Sequence, residues 1–123
     1  MTTLQQDVIK LNAIMHAKPF DKDAFHRVGK KTLKTLADHL HLPAFDVRSC
    51  KGGPAVAGEV VLHTPSFYVM ICGDRASSNP VLYRTCRGMR DFSGGQNNFT
   101  AVVSLNNPTF HRTLMSMIER AVA

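Results

Sequence analysis

The hydrophobic period of the chain changes at Pro43, and this change limits the fold more than any other feature of the sequence. Before Pro43 the apolar residues recur at helical spacing, which predicts an amphipathic helix over about residues 3 to 17. A second helix starts after Asp21, whose side chain can accept from the first free amides, and it ends before Pro43. The two helices are expected to pack as an antiparallel pair. Their apolar stripes are expected to supply the core residues Leu11, Phe25, Leu36 and Leu40.

After Pro43 apolar and polar residues alternate, which predicts strands. The expected strands cover residues 45–50, 59–64, 67–72, 81–86 and 99–105. Thr64, Pro65 and Ser66 predict a tight hairpin, and Asn107 followed by Pro108 predicts the start of a last helix. The predicted fold is therefore α+β in the order α-α-β-β-β-β-β-α, with an antiparallel sheet of about five strands and the helices on one face. Residues 1–123 are expected to form a single domain.

Several classes of protein do not fit this sequence. No apolar run approaches the ~20 residues that a membrane helix needs, and residues 1–18 lack the apolar core of a secretory signal. The three cysteines, Cys50, Cys72 and Cys86, contain no C-x-x-C pair, so we expect free thiols and a cytoplasmic protein. The histidines are scattered without metal-ligand spacing, and neither a metal nor a cofactor is expected.

Two motifs fail on inspection. Gly53 and Gly58 have the spacing of a phosphate-binding loop, but Glu59 stands where that motif requires lysine. Residues 35–42 are similar to the first helix of a helix-turn-helix, but the alternating residues after Pro43 leave no recognition helix.

The chain is basic, with 15 Lys and Arg against nine Asp and Glu and a formal charge of +6. One group of cations, here called the helix set, shares the polar face of the second helix: Arg27, Lys30, Lys31 and Lys34. These side chains could neutralise phosphates of a nucleic acid. The alternative is an ordinary solvated helix face, whose field Asp23 and Asp38 weaken.

The most polar segment, residues 83–98, begins within the fourth strand and contains a second group of cations. This arginine set consists of Arg84, Arg87 and Arg90, and it is accompanied by Gln96, Asn97 and Asn98. Arginine makes two-pronged contacts with phosphate, and the glycines between these residues allow close backbone approach. We therefore expect the arginine set to make most of the anion contacts. The alternative is a long hairpin whose Asn and Gly residues simply form turns.

Three segments of the sequence resemble small uncharacterised proteins encoded on bacterial plasmids and integrative elements. They are residues 18–26, residues 48–53 and residues 83–98. The resemblance spans most of the chain. It implies a mobile-element setting and no catalytic activity.

These observations favour a noncatalytic accessory protein that binds nucleic acid or another anionic partner through a basic surface. A protein-interaction or oligomeric module is the alternative. A second alternative is an enzyme that uses a Cys86 thiolate, which Arg84 and Arg87 could stabilise.

Overall fold

The computed structural model describes residues 2–74, 79–89 and 91–122, with side chains up to residue 119. The helices are α1 (Thr3–His16), α2 (Lys22–His39) and α3 (Pro108–Val122). The strands are β1 (Asp46–Cys50), β2 (Glu59–His63), β3 (Phe67–Cys72), β4 (Val81–Thr85) and β5 (Asn98–Thr100). The order is the predicted one, so the α+β assignment is confirmed.

Side-chain caps fix where the helices begin. Asp21 accepts from the amide of Ala24 at 3.0 Å, which confirms the predicted start of α2. α1 begins with a capping box that the sequence analysis did not identify. In it, the Thr2 hydroxyl accepts from the Gln5 amide while the Gln5 side chain accepts from the Thr2 amide. α3 begins at Pro108, after an Asn107 side chain that accepts from the Thr109 amide.

The sheet is an antiparallel meander in the order β1-β2-β3-β4-β5. Thr64 builds the predicted β2–β3 turn, because its hydroxyl accepts from the Phe67 amide at 3.0 Å. Alternate residues of the strands point to opposite faces. One face packs against the helices in the main core. The other, here called the open face, carries a smaller apolar cluster of Val61, Tyr68, Met70, Leu82 and Cys86.

The core contains the four residues predicted for it, because Leu11, Phe25 and Leu36 have no exposed surface and Leu40 is 9% exposed. α2 approaches β2 so closely that a Cβ added at Gly29 would lie 2.9 Å from a Val60 methyl group. A side chain at position 29 would therefore push the helix off the sheet.

The prediction for the fifth strand is wrong in its second half. Residues 98–100 pair with β4, but Val102–Asn106 forms a 3-10 helix instead of continuing the strand. In this helix Val102 and Leu105, three residues apart, are buried, whereas Val103 is 58% exposed. The 3-10 helix has three residues per turn, so this spacing places both buried side chains on one side. Residues 99–105 also fit an alternating pattern, so the sequence predicted a strand and did not reveal the three-residue spacing of the buried side chains.

Candidate functional site

Arg84 of the arginine set, which lies near the end of β4, is bonded to the loop that follows this strand. The described part of that loop, residues 87–89 and 91–97, is here called the cover loop. The Arg84 Nε donates to the Gly94 carbonyl at 2.9 Å, Nη1 donates to Asn97 Oδ1 at 2.6 Å, and Nη2 donates to the Gly94 and Gly95 carbonyls. Four of its five N–H groups are thus used to hold the cover loop. Arg84 anchors a loop, and little of its hydrogen-bonding capacity is left for a ligand.

The other residues predicted around Arg84 differ in their surroundings. Arg87 is exposed, and Arg90 lies outside the residues that the structure describes. Asn97 accepts from Arg84, and the Asn98 side chain donates to the Gln96 carbonyl at 3.0 Å. Gln96 and Asn98 also line a cavity of about 330 Å³ that presents no charged side chain among its described lining residues. The structure therefore describes two members of the arginine set, Arg84 and Arg87, and of these Arg84 is used to hold the cover loop.

The cover loop closes over a buried histidine on the open face. His63 has no exposed surface; its Nε2 donates to the Asp91 carbonyl at 3.1 Å, and its Nδ1 accepts from Arg48 Nη2 at 3.2 Å. The Phe92 ring lies 4.8 Å from the His63 ring and 4.9 Å from the Tyr68 ring, measured between centroids. These contacts require a neutral His63, because a proton on Nδ1 would face the Arg48 guanidinium.

We expect the protein to lose stability in mild acid through His63. Burial lowers the pKa of His63, and the Arg48 charge lowers it further, although the hydrogen bond to Asp91 opposes both. The unfolded chain therefore takes up the proton first, and the free energy of unfolding falls as the pH drops below about 6.5. Urea unfolding at pH 7.5 and 5.5 measures this loss. His63→Gln, which keeps one donor and one acceptor, should lose less between the two pH values; an equal loss in both proteins would contradict the assignment.

Cys86 is not an activated thiol. All three cysteines are free, as predicted, with Cys50 exposed and Cys86 buried. The Cys86 Sγ donates to the Thr64 carbonyl at 3.4 Å, and burial raises the pKa of this thiol. A nucleophilic cysteine needs the opposite shift. Cys86 therefore lacks the feature on which the enzyme alternative depended.

The structure separates the members of the helix set. Lys31 Nζ lies 2.8 Å from Oδ1 of Asp7, a residue of α1 that is 5% exposed. The other Asp7 oxygen accepts from the Thr35 hydroxyl at 2.8 Å. Lys31 is thus part of the contact between α1 and α2, whereas Lys34 points to solvent.

The remaining two members, Arg27 and Lys30, meet other polar residues at a cavity of about 310 Å³, here called the basic cavity. The cavity lies between the first half of α2 and the edge strand β1. It is lined by Asp23, His26, Arg27, Lys30, Ser49 and Lys51. The four α2 residues follow the i, i+3, i+4, i+7 spacing that places side chains on one helix face.

Hydrogen bonds fix the connection from β1 to β2, which lies beside the basic cavity. His26 is 3% exposed; its Nε2 donates to the Ala57 carbonyl at 2.7 Å, and its Nδ1 has no hydrogen-bond partner among the described residues. Lys22 donates to the Gly53 carbonyl at 3.1 Å. The Asp74 carboxylate accepts from the amides of Ala57 and Gly58, and these two hydrogen bonds lower its pKa. The β1–β2 connection, which includes Lys51, is therefore held by side chains of α2 and by Asp74, which follows β3.

The charge of the basic cavity is positive. Arg27, Lys30 and Lys51 face a single carboxylate, that of Asp23, which lies 3.5 Å from Lys51 Nζ. Both partners of this pair are well exposed, so the pair is weak and Lys51 can exchange Asp23 for another anion. The cavity can thus hold a phosphate or carboxylate group by charge and by donors from arginine, lysine and serine.

Sequence reasoning found Arg27 and Lys30 but missed His26, Ser49 and Lys51. The helical spacing of His26, Arg27 and Lys30 with Asp23 was visible in the sequence. The sequence does not show that this face of α2 lies beside β1, where Ser49 and Lys51 are found. That pairing depends on the close contact of α2 with β2, which the small residue Gly29 permits.

The protein is a five-stranded antiparallel meander with helices on one face and a basic cavity beside the edge strand β1. Comparison with family models, with curated proteins and with solved structures finds no match. None of the helices in the described part of the chain is long and apolar enough to cross a membrane. The described residues contain no group of three or more His, Cys, Asp or Glu side chains placed to hold a metal ion.

Proposed function

We propose that this protein is a noncatalytic binding protein that holds nucleic acid through phosphate contacts at the basic cavity. One observation carries the proposal: Arg27 and Lys30 of the helix set lie in the same cavity as Lys51, although Lys51 is 21 residues beyond Lys30 along the chain. The formal charge of +6 supports it, because a basic domain attracts a polyanion from a distance. The same proposal includes a cytoplasmic location, which the cysteine pattern favours, and the bacterial mobile-element setting that the resemblance implies.

Salt dependence of binding tests the proposal. We expect the affinity for a fluorescein-labelled single strand, measured by anisotropy, to fall with salt at a negative log–log slope of about 0.7 for each phosphate that the cavity neutralises. Arg27→Ala with Lys51→Ala should weaken binding and flatten that slope. The matched control, Lys10→Ala with Lys34→Ala, removes the same charge from exposed positions outside the cavity.

Two results would contradict the proposal. One is the absence of binding by the wild-type protein to single strand or duplex at tens of micromolar protein and low salt. The other is an equal loss of affinity in both double variants, which would mean that net charge alone governs binding.

A protein-interaction or oligomeric module is the second candidate, and a row of residues on the open face favours it. Val61, Met70, Leu82 and Phe99 are successive cross-strand neighbours from β2 to β5. Leu82 is half-buried and Phe99 is 41% exposed, so the row offers apolar surface near the β5 edge. An interface of this kind would strengthen or persist as salt rises, whereas phosphate binding weakens.

A further inference from the structure

Several described cations contact other parts of the protein, and three others meet at the basic cavity. Several described basic side chains are bonded internally: Lys22 to Gly53, Lys31 to Asp7, Arg48 to His63 and Asp46, and Arg84 to the cover loop. A long stretch of phosphodiester backbone is normally followed by a continuous basic groove. The basic cavity instead gathers three cations at one concave position.

The charge of the cavity suits one doubly charged group. Arg27, Lys30 and Lys51 together with Asp23 leave a net charge of about two positive units. A phosphomonoester carries about −1.5 to −2 near pH 7, whereas a phosphodiester carries only one negative charge. The phosphomonoester therefore neutralises the cavity more fully.

The size and donors of the cavity fit the same group. Its volume of about 310 Å³ is at the lower end of the roughly 300–1,000 Å³ of small-ligand sites. Arg27 can offer two parallel N–H donors, the lysines add point charges, and the Ser49 hydroxyl adds a further donor. The lining contains no aromatic ring from Phe, Tyr or Trp among the described residues, so a nucleobase would gain little from entering it.

We propose that the basic cavity binds the terminal phosphomonoester of a nucleic-acid strand. The inference rests on the proposed function and deepens it: the strand end occupies the cavity, and the rest of the strand lies outside it. Asp23 limits the affinity, because its carboxylate competes with the phosphate for Lys51.

The test compares two single strands of one sequence, labelled at the 3′ end and carrying either a 5′-phosphate or a 5′-hydroxyl. We expect the phosphorylated strand to bind at least about fivefold tighter, which corresponds to a few exposed ion pairs. Arg27→Ala with Lys51→Ala should abolish the difference, and Lys10→Ala with Lys34→Ala should preserve it. Asp23→Asn should enlarge it, a gain that a merely damaged protein would not show.

A competition experiment distinguishes the sources of the phosphate. Thymidine monophosphate should displace the phosphorylated strand, and thymidine should not. Equal affinity for the two strands would overturn this inference while leaving the proposed function in place. Binding of thymidine monophosphate with no binding of either strand would overturn both, because the cavity would then serve a free nucleotide.

Discussion

Leu36→Asp is expected to remove a large part of the protein's stability. Leu36 has no exposed surface and lies in the main core between α2 and the rest of the fold. An aspartate there must be buried without a partner or must protonate, and either outcome costs about 4 kcal/mol or more. A domain of ordinary stability has only about 5–15 kcal/mol in total. Circular dichroism during heating should show a strongly lowered midpoint or no cooperative transition.

Lys34→Asp is the matched control for this substitution. Position 34 is two residues away on the same helix and points to solvent, so the same aspartate there should change stability by only about 0.5 kcal/mol. An unchanged midpoint in Leu36→Asp would show that the helix pair is peripheral to the cooperative unit, and the assignment of the main core would then be wrong.

Arg84→Ala is expected to destabilise the cover loop by about 2 kcal/mol, since a hydrogen bond to a charged group contributes about 1.5–3 kcal/mol and part of this site is open to solvent. The substitution removes the donors that bind the carbonyls of Gly94 and Gly95 and the side chain of Asn97. Amide hydrogen exchange should accelerate in residues 91–97, and tertiary contacts of Phe92 should loosen with it.

Arg87→Ala provides the comparison. Arg87 is exposed, and its replacement removes the same charge from the start of the cover loop. It should leave hydrogen exchange in residues 91–97 nearly unchanged. If Arg84→Ala instead weakened nucleic-acid binding without accelerating exchange, Arg84 would be a ligand-binding residue and its role as a loop anchor would be refuted.

The fold could be predicted because local periodicity and caps determine most of it. The change of period at Pro43, the Asp21 cap and the Asn107-Pro108 start each depend on neighbours within one turn. The prediction failed where two periods compete. Residues 99–105 alternate like a strand, but burial of Val102 and Leu105 against the helices stabilises a 3-10 turn.

The candidate site was less predictable, because it depends on which cations are bonded to other parts of the chain and which are left to bind a ligand. The sequence alone does not show that Asp7 reaches Lys31 from α1, or that the cover loop returns to Arg84. The first contact joins two helices at positions 24 residues apart, and the second depends on how the loop after β4 folds back. The same applies to Lys51, which joins Arg27 and Lys30 only because α2 lies beside β1.

The most direct test of phosphate binding at the basic cavity is an amide chemical-shift titration of the ¹⁵N-labelled protein with a 5′-phosphorylated single strand at low salt. The account predicts that the largest shifts fall in residues 23–30 and 49–51, and that Arg27→Ala with Lys51→Ala removes them. Largest shifts in residues 84–98, or across Met70 and Leu82 on the open face, would contradict it.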